Sequence, residues 1–243
     1  MHSLYRSAPV QGCPESAQIP CASSLAVPED SAGFDHPIFS ESIRLIRQAL
    51  AASVLEPFTP LEQEVLLRLI HSSGDLSLAQ DLRCSTAACE AGVAALAAGA
   101  PLLTDTAMAA AAVAPMARRT FGNAVRSVLE WAPLSAPAGG TRTAAGMAQA
   151  LSDLPGAVVL IGSAPTALEQ LLALVAAGRC AAPALVIGMP VGFVGVAESK
   201  RHLAEALHLP QIRLEGSRGG AGLVGAAANA LLRRGWLDQA AAR

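Results

Sequence analysis

Between Leu154 and Lys200 the chain sets two short apolar runs, Ala157–Ile161 and Ala184–Ile187, on either side of a stretch with helical spacing. Continuous rather than alternating apolar runs are the pattern of strands buried on both faces of a parallel sheet. Pro165 opens the intervening helix, Leu168, Leu171, Leu172 and Val175 fall on one of its faces, and Gly178 closes it. Such a crossover is right-handed, so the loops Gly162–Thr166 and Gly188–Val194 leave the same edge of the sheet. In open α/β sheets that edge is where ligands bind.

The same periodicities organise the rest of the chain. Ile43, Leu45, Ile46 and Leu50 define a first helix, with Ser40 or Ser42 near its start. In a second helix Thr59 serves as cap, Pro60 suits the first position and Glu62 completes a capping box, with Leu61, Val65, Leu66 and Leu69 as its buried stripe and Gly74 as its stop. His71 then sits at a helix C-terminus, where the macrodipole favours imidazolium by up to ~2 kcal/mol. Further helices are predicted over Ser85–Ala98, Thr141–Leu151, Val196–Leu207 and Gly219–Arg234, and further strands over Pro101–Thr104, Ala124–Leu129 and Gln211–Leu214. The prediction is an α/β fold, a single three-layer domain over residues 36–243 with a mostly parallel sheet of about five strands flanked by helices. Residues 1–35, with Pro9, Pro14, Pro20 and Pro28 and no periodic apolar face, are expected to be a flexible N-terminal extension.

Composition narrows the classes. The formal net charge is -2, which speaks against nucleic acid as a partner. Hydrophobic residues make up 52% of the chain, yet Asp105 interrupts the longest apolar region, so no membrane span is expected. The five cysteines, Cys13, Cys21, Cys84, Cys89 and Cys180, lack CxxC spacing, which suggests neither a disulfide framework nor a metal site and points to a cytoplasmic protein.

Several residues admit both a structural and a chemical reading. His71 caps helix carbonyls or donates a proton; Asp75 is a turn residue by local sequence. Asp105 stands at the ligand edge or caps the helix after it. Arg142 opens a helical turn, where the dipole does not favour it, so an anion is its alternative partner. Lys200, the chain's one lysine, stands in AESK beside Arg201, where both can be solvated. Gly220, Gly222 and Gly225 have GxGxxG spacing, but the chain ends too soon after them for a Rossmann unit; they open a helix N-terminus to a carboxylate or serve close packing.

Taken together, RLIHSSGD (68–75), AGAPLLTDTAM (98–108), TRTAA (141–145), IGSAPTAL (161–168), IGMPVGFVGVAESK (187–200) and the glycine loop running into AANAL (216–231) resemble the precorrin-8X methylmutase family of cobalamin biosynthesis. The resemblance implies a cofactor-free isomerase that moves a methyl group between neighbouring carbons of a corrinoid macrocycle. It implies that His71 is catalytic, that Ser42 and Arg142 share its site, and that Thr141, Ser163, Ala164, Thr166, Gly219, Gly220 and Lys200 contribute to substrate binding. It further implies a homo-oligomer with no metal of its own, handing its product to neighbouring pathway enzymes. Ser163, Gly140 and Ala221 depart from the family's usual Asn, Asn and Ser. The rival readings are a non-catalytic corrinoid-binding protein and a dinucleotide-dependent oxidoreductase.

Overall fold

The structure is a computed structural model that describes residues 33–242. Ten helices and six strands alternate along the described residues: α1 (Pro37–Ala49), α2 (Ala52–Leu55), α3 (Pro60–Ser73), α4 (Leu78–Asp81), β1 (Leu82–Arg83), α5 (Thr86–Ala97), β2 (Leu102–Thr104), α6 (Ala107–Arg119), β3 (Val125–Ser127), α7 (Arg142–Asp153), β4 (Val158–Ile161), α8 (Pro165–Ala176), β5 (Leu185–Gly188), α9 (Val196–Glu205), β6 (Gln211–Leu214) and α10 (Ala221–Ala241). A 3₁₀ turn, Val128–Glu130, follows β3.

The strands form one sheet in the order β1-β6-β5-β4-β2-β3, parallel throughout except for β1 against β6. Its centre is the apolar pair read from sequence. In β4, Val158 and Leu160 enter the core shared with α3, α5, α6 and α10, whereas Val159 and Ile161 enter the core shared with α7 and α8. That division explains why β4 carries no polar position: each face of the strand lies under a helical layer. Six strands replace the five expected. The additional one is the two-residue β1, too short to leave a period in sequence.

Two local features refine the sequence reading. Helix α1 begins at Pro37, with the His36 ring nitrogen accepting the Ile38 N–H at 3.2 Å, so the cap is His36 and Ser40 lies in the first turn. Thr106, not Asp105, caps α6 by accepting the Ala109 N–H. The segment read as an extension lies outside the described residues up to position 32. Its last residue, Asp35, pairs with Arg233 of α10, and Phe34 lies under the Arg119 guanidinium at 4.0 Å. Among the described residues no helix is long and apolar enough to cross a membrane.

Candidate functional site

The C-terminal ends of β2, β4, β5 and β6 share one edge, because these strands are parallel. Helices α6 and α8 leave β2 and β4 toward opposite faces of the sheet, which makes this neighbouring pair the topological switch point. Asp105 fills the crevice there. It is fully buried, and its Oδ2 accepts the N–H groups of Gly162, Ser163 and Ala164 at 3.1, 2.6 and 2.8 Å. Its Oδ1 has no hydrogen-bond partner among the described residues. Burial pushes the carboxyl above its ordinary range, and the three N–H groups act in the opposite direction. An internal carboxylate thus occupies the N-terminal end of α8.

From that turn a run of backbone hydrogen bonds crosses the sheet edge. Val191 N–H donates to Gly162 O at 3.1 Å, Gly220 N–H to Met189 O at 2.9 Å, and Gly192 N–H to Ser217 O at 3.1 Å. Gly219 is required by contact, since a Cβ there would lie 1.9 Å from Met189 O; at Gly162 it would meet Ala221 N at 2.7 Å. The tip of the β5–α9 loop is apolar and open to solvent, with Phe193 94% and Val194 89% exposed.

Around this edge the named polar side chains form two groups. In the first, Ser42 Oγ of α1 lies 2.7 Å from His71 Nδ1 of α3, and the Phe39 ring meets the imidazole edge-on at 5.1 Å. Arg68, one turn before His71, lies over the other side of that arrangement with its guanidinium 4.5 Å from the Phe39 centroid. Burial and the Arg68 charge lower the His71 pKa from 6.5, so the imidazole is neutral at neutral pH. The direction is opposite to the one that the helix terminus alone suggests, and its causes are desolvation and the neighbouring cation. Glu41, Ser42, Ile38 and Leu45 line a groove of ≈ 450 Å³ along the outer side of α1.

The second group surrounds the start of α7. Thr141 Oγ1 caps the helix by accepting the Ala144 N–H and lies 2.7 Å from Thr166 Oγ1 of α8. Arg142 is exposed, its Nε donating to Pro133 O at 2.8 Å. A hollow of ≈ 220 Å³ opens beside it between Gly140, Thr141, Ala144 and Gln170. Among the described residues no hydrogen bond joins this group to His71.

The family model described as precorrin-8X methylmutase matches residues 37–234. The chain belongs to the precorrin-8X methylmutase family. It is 35% identical over 218 residues to the cobalt-precorrin-8 methylmutase of Synechocystis, a match covering 84% of this chain and 98% of that one. To the precorrin-8X methylmutase of Pseudomonas aeruginosa it is 43% identical over 173 residues, 70% and 82% of the two chains. The crystal structure of the precorrin-8X methylmutase from Thermus thermophilus superposes with a TM-score of 0.71 at 40% identity, over 83% of this chain and 96% of that one.

Within this methylmutase fold the structure sorts the residues named from sequence. His71 and Ser42 meet, and Thr141, Arg142 and Thr166 gather at one corner of the sheet edge. Ser163 and Ala164 do not offer free backbone donors, because Asp105 takes their N–H groups. Gly220 likewise gives its N–H to Met189, and Gly219 serves the close approach of two loops. Lys200 is not solvated: it is 1% exposed, and its ammonium donates to the carbonyl oxygens of Gly216 and Arg218. Arg68 was missed, although its signal is in RLIH, where the i, i+3 spacing sets it on the face of His71. Among the described residues no three His, Cys, Asp or Glu side chains converge to hold a metal ion.

Asp105 gives this site a measurable signature. Asp105→Asn keeps one oxygen for the three N–H groups and removes a buried charge, so its thermal midpoint is expected to match or exceed that of the parent at neutral pH. Asp105→Ala strands the donors and is expected to cost about 1–3 kcal/mol. Paired melting curves check the difference, and an equal loss in both variants would show that the charge itself is required.

Proposed function

We propose that this chain is an isomerase that moves a methyl group between adjacent carbons of a corrinoid macrocycle, the methylmutase step of cobalamin biosynthesis. Family membership supports the reaction class, and the Ser42–His71 pair at the open end of α3 carries the reading. The balance is internal: one carbon–carbon bond forms at the accepting carbon, one breaks at the donor carbon, and the ring double bonds shift so that composition is unchanged. No redox partner is needed, and any proton lent to the macrocycle returns.

The neutral imidazole fits a hydrogen-bonding role. With Ser42 Oγ–H donating to Nδ1, the remaining proton lies on Nε2, which makes that N–H the donor toward a polar atom of the macrocycle. Such a bond draws electron density from the conjugated system and lowers the barrier to migration. Arg68 and Arg142 are the proposed anchors for peripheral carboxylates, one in each group of side chains. Because the groups are separate within one chain, we read the working form as a homo-oligomer in which a second copy completes the site. The cysteine usage supports a cytoplasmic location.

Stoichiometric protein mixed anaerobically with precorrin-8X tests the reading through the visible spectrum, with cobalt-precorrin-8 as a parallel substrate. Conversion of either to the more conjugated chromophore is expected. A bound, unconverted spectrum with both would make the chain a carrier, and no spectral change with either would overturn the reading.

A further inference from the structure

The chain's one lysine is also among its most deeply buried large side chains. Lys200 Nζ, from α9, donates to the carbonyl oxygens of Gly216 at 2.9 Å and Arg218 at 2.5 Å. Between them Ser217 O accepts from Gly192 N–H, so three consecutive carbonyls of the β6–α10 turn are held. The carboxylates that act on the ammonium, Glu215 and Asp81, are each engaged by an arginine, Glu215 by Arg213 at 3.1 Å and Asp81 by Arg218 at 3.2 Å. Burial pushes the amine down to about 8. A side chain needed only to fill this space would do so at lower free-energy cost as a hydrophobe, because taking a charge out of water is unfavourable unless polar partners compensate.

What the turn carries explains the ammonium. Arg218 reaches from it to the segment directly after α3, donating to Ser77 Oγ at 2.7 Å and pairing with Asp75 at 3.4 Å. The same turn delivers Gly219 and Gly220 against Met189. Lys200 therefore stands beneath a loop that touches both the segment after the His71 helix and the β5–α9 loop. We infer that Lys200 is a positioning residue of this site, gripping the main chain of the β6–α10 turn from below and never touching substrate. The inference rests on the methylmutase reading for its catalytic consequence, but its structural half stands apart from it.

Lys200→Met is the direct test, read by amide hydrogen exchange, thermal unfolding and steady-state kinetics. Exchange at 216–220 and at 75–77 is expected to rise about tenfold while amides inside β4, β5 and α10 keep their protection. The midpoint of unfolding is expected to change little, since a methionine removes the buried charge but leaves the Gly216 and Arg218 carbonyls without their donor. KM for the corrinoid is expected to increase about tenfold with kcat held within about twofold, the pattern of lost positioning rather than lost chemistry. Unchanged exchange in the turn would overturn the inference, as would a lower midpoint with protection lost throughout, which is what a purely structural lysine predicts. Lys200→Gln, which keeps a polar head, undergoes the same measurements and guards against a variant that fails to fold. Exchange and unfolding need no substrate, so absence of turnover in the parent would remove the methylmutase reading while leaving Lys200 decided.

Discussion

His71→Ala is expected to leave a folded protein that binds corrinoid and converts it about 10²–10⁴-fold more slowly. Folding survives because the side chain is only half buried and its loss removes one hydrogen bond, to Ser42, worth about 1 kcal/mol. Binding survives because the proposed anchors, Arg68 and Arg142, are untouched. The pH profile separates two forms of the role. Burial and Arg68 hold the imidazole pKa below 6.5, so a neutral N–H donor keeps kcat level from about pH 7 to 9. An imidazolium acid would instead lose about tenfold in kcat per pH unit across that range. We expect the level profile; undiminished turnover in the alanine variant would remove His71 from the mechanism.

Arg233→Ala is expected to produce the largest loss of stability. The guanidinium reaches Asp35 through Nε at 2.9 Å and also through its second terminal nitrogen, and Glu64 through the first at 2.9 Å. The side chains of Arg233 and Asp35 are 10% and 7% exposed, and that of Glu64 is 28% exposed, so removing the arginine strands two carboxylates with little water. Breaking a buried pair from one side costs about 3–5 kcal/mol. In a chain of this size that lowers the melting midpoint by on the order of 10 °C. Asp35 lies two residues before α1, which carries Ser42, so activity should fall with stability. Restoring part of the midpoint by adding Asp35→Asn to the variant would tie the loss to the uncompensated carboxylate, and a melt unchanged from the parent would deny the cluster its role.

The layers of the fold were legible because apolar periodicity records them. The continuous runs of β4 and β5, the helical stripe of α8 and the capping box of Thr59 and Glu62 each follow from a local rule, and each lies where that rule puts it. Edge pairing leaves no such trace: β1 is two residues long and is a strand only because β6 lies beside it. The site was legible in part for the same reason. His71 follows from the end of a helix, whereas the shift of its pKa depends on how deeply α1 and Arg68 cover it. Asp105 reads as a cap when only its own helix is considered, because the three N–H groups it binds lie 57 to 59 residues further along the chain. Lys200 reads as a surface residue beside Arg201 until the turn at 216–218 is brought over it.

Asp105 and Lys200 share a property that reaches beyond their own positions. Each grips main-chain atoms, the carboxylate taking N–H groups from one loop and the ammonium taking carbonyls from another, so the outline of the sheet edge is fixed without reference to the side chains those loops display. Residues 163, 164 and 217 are therefore free to be exchanged while the outline is kept, whereas Arg218 also holds Ser77, Asp75 and Asp81 through its side chain. A rim built in this way can be relined by substitution alone, with no loop to be lengthened and no strand to be moved.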